Sequence, residues 1–265
     1  VKRQITILGC GSSGGVPRVG QGWGACDPNN PKNRRRRCAI LVEQKGEDGA
    51  ETRILVDTGP DLRDQLLGEN VSHLDAIFLT HQHADHTHGM DDVRPLVLMA
   101  HKRLDLYMDA ATSADVREAF SYIFETPPGS YYPPLLNEHR LVAGEPVEID
   151  GAGGAIKALP FRLEHGEIDA LGFRFGNFAY SPDVAGIPPE SVGFLENLDL
   201  WIVDALRYTP HPSHFCLRET LEWIEKLKPR HAILTNLHTD LDFEQLRSEL
   251  PPHIEPAYDR MKIAI

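Results

Sequence analysis

Ala76-Ile77-Phe78-Leu79-Thr80 runs straight into His81-Gln82-His83-Ala84-Asp85-His86, and this junction decides how the chain is read. The first five residues form a short, mostly apolar run bounded by polar residues, which predicts a buried strand. Three imidazoles and a carboxylate then fall within six positions. Strand alternation carries His81 and His83 to one side, and Asp85, two residues on, to that side as well; His86 needs a turn to join them. Neutral imidazole and carboxylate suit zinc, manganese or iron, and no thiol stands nearby to make a soft site. A His-rich surface loop is the competing reading. Four ligating groups at one strand end speak against it.

The rest of the composition is that of an ordinary globular chain, with 41% apolar and 25% charged residues over 265 positions. That length suffices for a substantial core, and no linker divides it, so one domain over residues 1–265 is expected. No apolar run approaches the roughly 20 residues of a membrane span, and Val1-Lys2-Arg3-Gln4-Ile5 has no signal-peptide core, which leads to a cytoplasmic expectation. Cys10, Cys26, Cys38 and Cys216 form no CxxC pair, so neither a disulfide framework nor a thiol metal site is indicated. The net charge of −12, from 27 basic and 39 acidic residues, disfavours broad binding to nucleic acid.

Outward from the histidine cluster the chain alternates strands and helices. Residues 4–8 predict a first strand that enters the glycine-rich Gly9–Pro17; this lacks the GxGxxG spacing and reads equally as a tight turn or an active-site loop. Residues 18–37 read as a long loop ending in Arg34–Arg37, four consecutive arginines taken as a solvated face or as phosphate-facing groups. A hairpin over 38–43 and 52–56 follows, then a helix capped by Asp61. A short helix is expected to begin at His86, a strand at 104–108, and one amphipathic helix over 110–124. The aromatic loop 126–134 is either ordinary packing or a lid. Strands at Val147 and 156–161 precede His165; a hairpin at 171–175 and 178–181 runs into Asp183. Asp204 ends a strand, His211 and His214 lie in a loop, and a helix at 217–227 leads to a strand at 231–235, just before His238. A helix over 243–250 and a strand over 260–265 close the chain.

These residues resemble the metallo-β-lactamase superfamily. His81–His86 fits its HxHxDH signature, and His165, Asp183 and His238 follow in that family's order. Gly9–Pro17 with the later arginine run is similar to the phosphodiesterase branch that holds tRNase Z and phosphoribosyl cyclic phosphate phosphodiesterases. The resemblance implies an α/β fold, a four-layer αββα sandwich, with two divalent metal ions, zinc or manganese, at one rim. It implies His81, His83 and His165 on one ion, Asp85, His86 and His238 on the other, and Asp183 bridging. Two cations about 3.5–4 Å apart can share a water as hydroxide and neutralise a phosphate, with Asp85 orienting the attack. Thr80, Ser181 and Asp57 are candidates to hold imidazole N–H groups. His214 matches the position of a non-ligand histidine that meets the phosphate and protonates the leaving group, with His211 as its rival. Two departures stand out: only Cys26 remains where the closer relatives carry a cysteine-rich zinc site, and Asn236 stands where the last ligand often follows a threonine.

The expected activity is therefore hydrolysis of a small nucleotide-like or cyclic phosphate ester. The expected partner is that small substrate, with no membrane and no nucleic acid, and a homodimer is left open. A tRNA 3′-processing nuclease, a thioester or lactam hydrolase and a non-catalytic PQQ-accessory-like binding protein are the alternatives.

Overall fold

The structure, a computed structural model, describes residues 2–265; Val1, at the head of the stretch discussed above, lies outside them. The strands are β1 (Lys2–Gly9), β2 (Ala39–Lys45), β3 (Glu51–Val56), β4 (Ala76–Phe78), β5 (Leu104–Met108), β6 (Leu136–Arg140) and β7 (Val147–Ile149). They continue as β8 (Ile156–His165), β9 (Ile168–Phe175), β10 (Phe178–Ser181), β11 (Leu200–Asp204), β12 (His231–Thr235), β13 (Ile254–Pro256) and β14 (Met261–Ala264). The helices are α1 (Leu62–Gly68), α2 (Ala84–Thr87), α3 (Arg94–Ala100), α4 (Ala110–Ala119), α5 (Ser121–Phe124), α6 (Pro189–Val192), α7 (Leu217–Leu227) and α8 (Phe243–Glu249).

Strands apolar on both faces need cover on both sides. In β3, Ile54 and Val56 face one core and Leu55 another; in β11, Ile202 faces the first core while Trp201 and Val203 face a third. The shared core lies between two seven-stranded sheets, ordered β14-β1-β2-β3-β4-β5-β6 and β13-β12-β11-β10-β9-β8-β7. The other two cores lie beneath helices on the outer faces, where Leu62, Val97 and Val116 cover one sheet and Leu217, Ile224 and Leu246 the other. Four layers result, in the order αββα. Each sheet passes from antiparallel to parallel pairing, at β3–β4 in one and at β10–β11 in the other. Ligands bind at the carboxyl ends of such parallel strands. The ends of β4, β10, β11 and β12 here meet at one rim.

Phe78 fixes the two sheets against each other, its ring 5.1 Å from Tyr107 and 5.2 Å from Phe173. Phe78→Ala is expected to cost about 3–5 kcal/mol, read as the loss in denaturant midpoint at constant slope. A loss below about 1 kcal/mol would show that this ring does not organise the core.

Several sequence expectations need correction. The helix after the cluster starts at Ala84 rather than His86. The helix expected over 110–124 breaks at Phe120, which leaves helical dihedrals (φ −130°, ψ 38°) and packs its ring edge-on to His88. Asp61 heads α1 without capping it; its carboxylate accepts from the Arg37 backbone N–H at 2.9 Å and pairs with the Arg37 guanidinium at 3.1 Å. The arginine run is not one solvated face: Arg34 is exposed, but Arg35 is buried and Arg36 and Arg37 are half-buried. Arg34 lies over Trp23, Arg36 pairs with Asp259, and the buried Arg35 donates to the carbonyls of His238 (3.1 Å) and Leu241 (2.6 Å). These arginines tie the long loop to the rim.

Candidate metal centre

The cluster is built from the second layer inward. Asp57 follows β3 in the left-handed region (φ 69°), a conformation uncommon outside glycine and enriched at functional sites. Its buried carboxylate accepts from Thr80 N–H (2.9 Å), Thr80 Oγ1 (3.0 Å) and His86 Nδ1 (2.8 Å). Thr80 Oγ1, donating to Asp57, accepts from His81 Nδ1 at 3.0 Å. Thr58 N–H donates to the His86 carbonyl and Gly89 N–H to the Thr58 carbonyl, both at 2.8 Å, and a Cβ at Gly59 would collide with the Asp85 carbonyl. Asp57 and Thr80 thus fill the roles expected of them. Ser181 does not: its Oγ accepts from Trp201 Nε1 at 3.1 Å, a core contact.

His165 Nδ1 donates to the Ser213 carbonyl at 2.6 Å, which commits its Nε2 to a lone pair, and His81 Nε2 is committed in the same way by Thr80. Both face His83 Nδ1, at 3.2 Å and 2.9 Å. Burial and the neighbouring His86 push the His81 imidazole well below its ordinary range, and burial lowers His165. Three ring nitrogens therefore converge with at most one proton to share, which leaves lone pairs facing the space between them. One donor atom from each of His81, His83, His165 and Asp183 lies within 4.8 Å of the others, the donor chemistry of a divalent metal site.

Asp183 joins this group to a second one. Its Oδ1 accepts from Asn236 Nδ2 at 3.2 Å, and its Oδ2 lies 3.6 Å from His81 Nε2, 3.5 Å from His165 Nε2 and 3.4 Å from His86 Nε2. Asp85 Oδ2 lies 3.4 Å from the same His86 nitrogen. Burial alone would raise the Asp183 carboxyl, but the surrounding imidazoles, His86 first, hold it well below the usual carboxylate range. Burial would likewise lower His86, but Asp183, Asp57 and Asp85 hold it well above. His238 stands apart from these contacts. It lines the same cleft, but its Nε2 lies 2.6 Å from Arg18 Nη1, with Asp240 Oδ1 3.1 Å from Nδ1.

The cleft over the cluster encloses about 260 Å³. His214 and His211 both line it. His214 Nδ1 donates to the buried Asp204 at 2.8 Å, leaving Nε2 free, and its ring sits edge-on to His165 with centroids 4.6 Å apart. Burial pushes Asp204 up to about 7. Burial would lower His214, but the charge and hydrogen bond of Asp204, helped by Asp183 and Asp85, hold it up to about 9. Their hydrogen bond and opposite charges favour the carboxylate–imidazolium form of the pair. His211 instead accepts from Ser213 at 3.3 Å and is lowered by burial. Among the described residues none of 126–134 lines the cleft, so that loop is not a lid in this conformation. Sequence reasoning missed Asp204 as an orienting carboxylate, Asn236 as the clamp on Asp183, the Ser213 carbonyl and Arg18. Asp204 at a strand end ten residues before His214 was the one available signal.

Two mixed sheets between helices, with a His/Asp cluster at one rim, make up the frame of a candidate divalent-metal site. The chain belongs to the metallo-β-lactamase superfamily: residues 52–236 match the family model described as a beta-lactamase superfamily domain. A crystal structure of a new diphosphatase from the PhnP family is 36% identical, with a TM-score of 0.88 over 100% of this chain and 98% of that one. Zn(2+)-bound PqqB from Methylobacterium extorquens shares the fold at 15% identity, with a TM-score of 0.76 over 98% and 99% of the two chains. An octanoyltransferase from Porphyromonas gingivalis is 32% identical over 98% of this chain but 51% of its own length. The chain thus spans about half of that relative. No helix among the described residues is long and apolar enough to cross a membrane.

Proposed function

We propose that this hydrolase is a dinuclear phosphodiesterase cleaving P–O bonds in small nucleotide-like or cyclic phosphate esters and diphosphates. One observation carries the reading: His214, held through Nδ1 by the buried Asp204, lines the same cleft as the His/Asp cluster. The whole-length likeness to a diphosphatase supports it. A charge of −12 and a cleft of about 260 Å³ favour a small substrate over a transfer RNA.

His81, His83 and His165 would hold one cation and Asp85, His86 and His238 the other, with Asp183 available to both. Bound there, such ions supply Lewis-acid charge and a nucleophilic water at neutral pH. Asp57, Thr80 and the Ser213 carbonyl fix the ring orientations, so that little reorganisation is left to the moment of reaction. His214 offsets charge growing on the phosphoryl oxygens and gives its Nε2 proton to the departing oxygen. Asp204 keeps the proton on Nδ1 and the ring in place. A non-catalytic carrier would need no such pair.

Loss of the imidazolium at high pH gives kcat/KM a basic limb. Asp204 raises the His214 pKa, so Asp204→Asn is expected to move that limb to lower pH, measured from pH 6 to 10; an unmoved limb would detach the pair from catalysis. The reading itself is tested with bis(p-nitrophenyl) phosphate and ADP-ribose beside a lactam and a thioester. Turnover of the phosphoryl substrates is expected. Turnover of the lactam or thioester alone would overturn it.

A further inference from the structure

Neighbouring arginines in the long loop answer to carboxylates, Arg36 to Asp259 and Arg37 to Asp61. Arg18 does not: among the described residues no carboxylate pairs with it, and its hydrogen-bond partner is His238. It is nonetheless carefully held. Arg18 and Gly22 exchange backbone N–H···O bonds, both 2.8 Å, closing a tight turn. The guanidinium lies across Gly14, where a Cβ would collide with Nε and come within 3.0 Å of Cζ and Nη2. The glycine-rich loop after β1 therefore serves as the seat of a cation. The buried Ser12, whose hydroxyl has no hydrogen-bond partner, lines the same cleft. A second arginine, Arg207, lines the cleft as well, its guanidinium tied to its own loop through the Thr209 (3.0 Å) and Pro210 (2.7 Å) carbonyls. Neither Arg18, Ser12 nor Arg207 has a task in the metal-holding set or the His214–Asp204 pair.

An always-charged planar fork without a carboxylate suits a phosphate, which it can meet through two hydrogen bonds. Arg18 also cannot keep its present contact once His238 serves a metal. A neutral imidazole nitrogen has one lone pair, and a divalent cation at that distance repels a guanidinium. The group is then pressed toward the open cleft and whatever anion lies there. We propose that Arg18, seated on Gly14 at the cleft, selects substrates that carry a second phosphate beyond the one hydrolysed. The proposal rests on the phosphoryl-hydrolase reading and names its substrate class: diphosphate-bearing nucleotides ahead of single diesters.

The test is calorimetric titration of metal-loaded wild type, Arg18→Ala and Arg18→Lys with ADP and with AMP, with metal content measured by elemental analysis before and after. Wild type is expected to prefer ADP. In Arg18→Ala that preference should fall about 10–100-fold, the worth of a charge-assisted hydrogen-bonded pair. Arg18→Lys should retain part of it, as a point charge without the fork. A preference that survives Arg18→Ala overturns the proposal. So does a preference lost together with bound metal, which would make Arg18 a support of the metal site. Parallel assays on ADP-ribose and bis(p-nitrophenyl) phosphate separate the two layers: if neither is hydrolysed while the ADP preference behaves as expected, the hydrolase reading fails and the role of Arg18 stands.

Discussion

His214→Ala is expected to lower kcat on a diphosphate diester such as ADP-ribose by about 10²–10⁴-fold, the usual worth of a positioned general acid. The ring is held by Asp204 at 2.8 Å and flanked by Asn236 at 3.1 Å, so its proton is delivered from a fixed place. It makes no part of the four-residue donor group His81, His83, His165 and Asp183, so metal content should match wild type. The size of the effect should follow the leaving group. An alkoxide or phosphate leaving oxygen needs the proton, whereas p-nitrophenolate departs readily without it. Hydrolysis of bis(p-nitrophenyl) phosphate should therefore fall less steeply than that of ADP-ribose. Equal losses on both substrates would place His214 in charge stabilisation alone, and no loss would remove it from the chemistry.

Asp183→Asn is the second change with a large expected effect. Asp183 Oδ2 lies between the imidazoles of His81, His165 and His86, and Asn236 pins Oδ1. The amide keeps the shape but removes the charge that would offset two cations, and its NH₂ would meet either lone pairs or another donor. Metal affinity should fall by more than the 10–100-fold typical of an orienting neighbour, and activity with it. A melting experiment separates this from misfolding. A metal that binds only the folded state raises its stability in proportion to ln(1 + [L]/Kd), so zinc should raise the Tm of wild type and leave the variant nearly unmoved. Without metal, the variant loses the carboxylate that His86 and its neighbours hold ionised and should melt below wild type, so the shift on adding zinc, rather than the starting Tm, is the readout. A variant that still gains wild-type stability from zinc would take Asp183 out of the site.

How far the sequence could be read follows from where the determining contacts lie. α7 was legible to its last residue because Leu217, Leu221 and Ile224 repeat at helical spacing over one core. β11 and β12 were legible as apolar runs ending in polar residues. α3 was not: Val97 is its one buried residue, and an Arg94-Pro95 start carries little periodicity. β6 and β13 are short, and β6 is largely polar, so no alternation announced them. At the site, the candidate ligands of His81–His86 are contiguous, so the sequence nominates them directly. The tautomer of His165 depends on a backbone carbonyl 48 residues away, and Arg18 meets His238 across 220 residues. No local pattern encodes such contacts; the two sheets bring them together. The arginine run misled because charge in sequence says nothing of what faces it. Here Asp61, Asp259 and two loop carbonyls do.

The central claim is that the His/Asp cluster holds divalent cations that turn this cleft into a phosphoryl hydrolase. Stripping the protein with a chelator and restoring zinc or manganese in measured steps, while following ADP-ribose hydrolysis, tests it most directly. Activity should be lost on stripping and return with bound metal, levelling off at two equivalents per chain. Undiminished activity in the stripped protein, or two bound equivalents with no hydrolysis of any phosphate ester, would contradict the account.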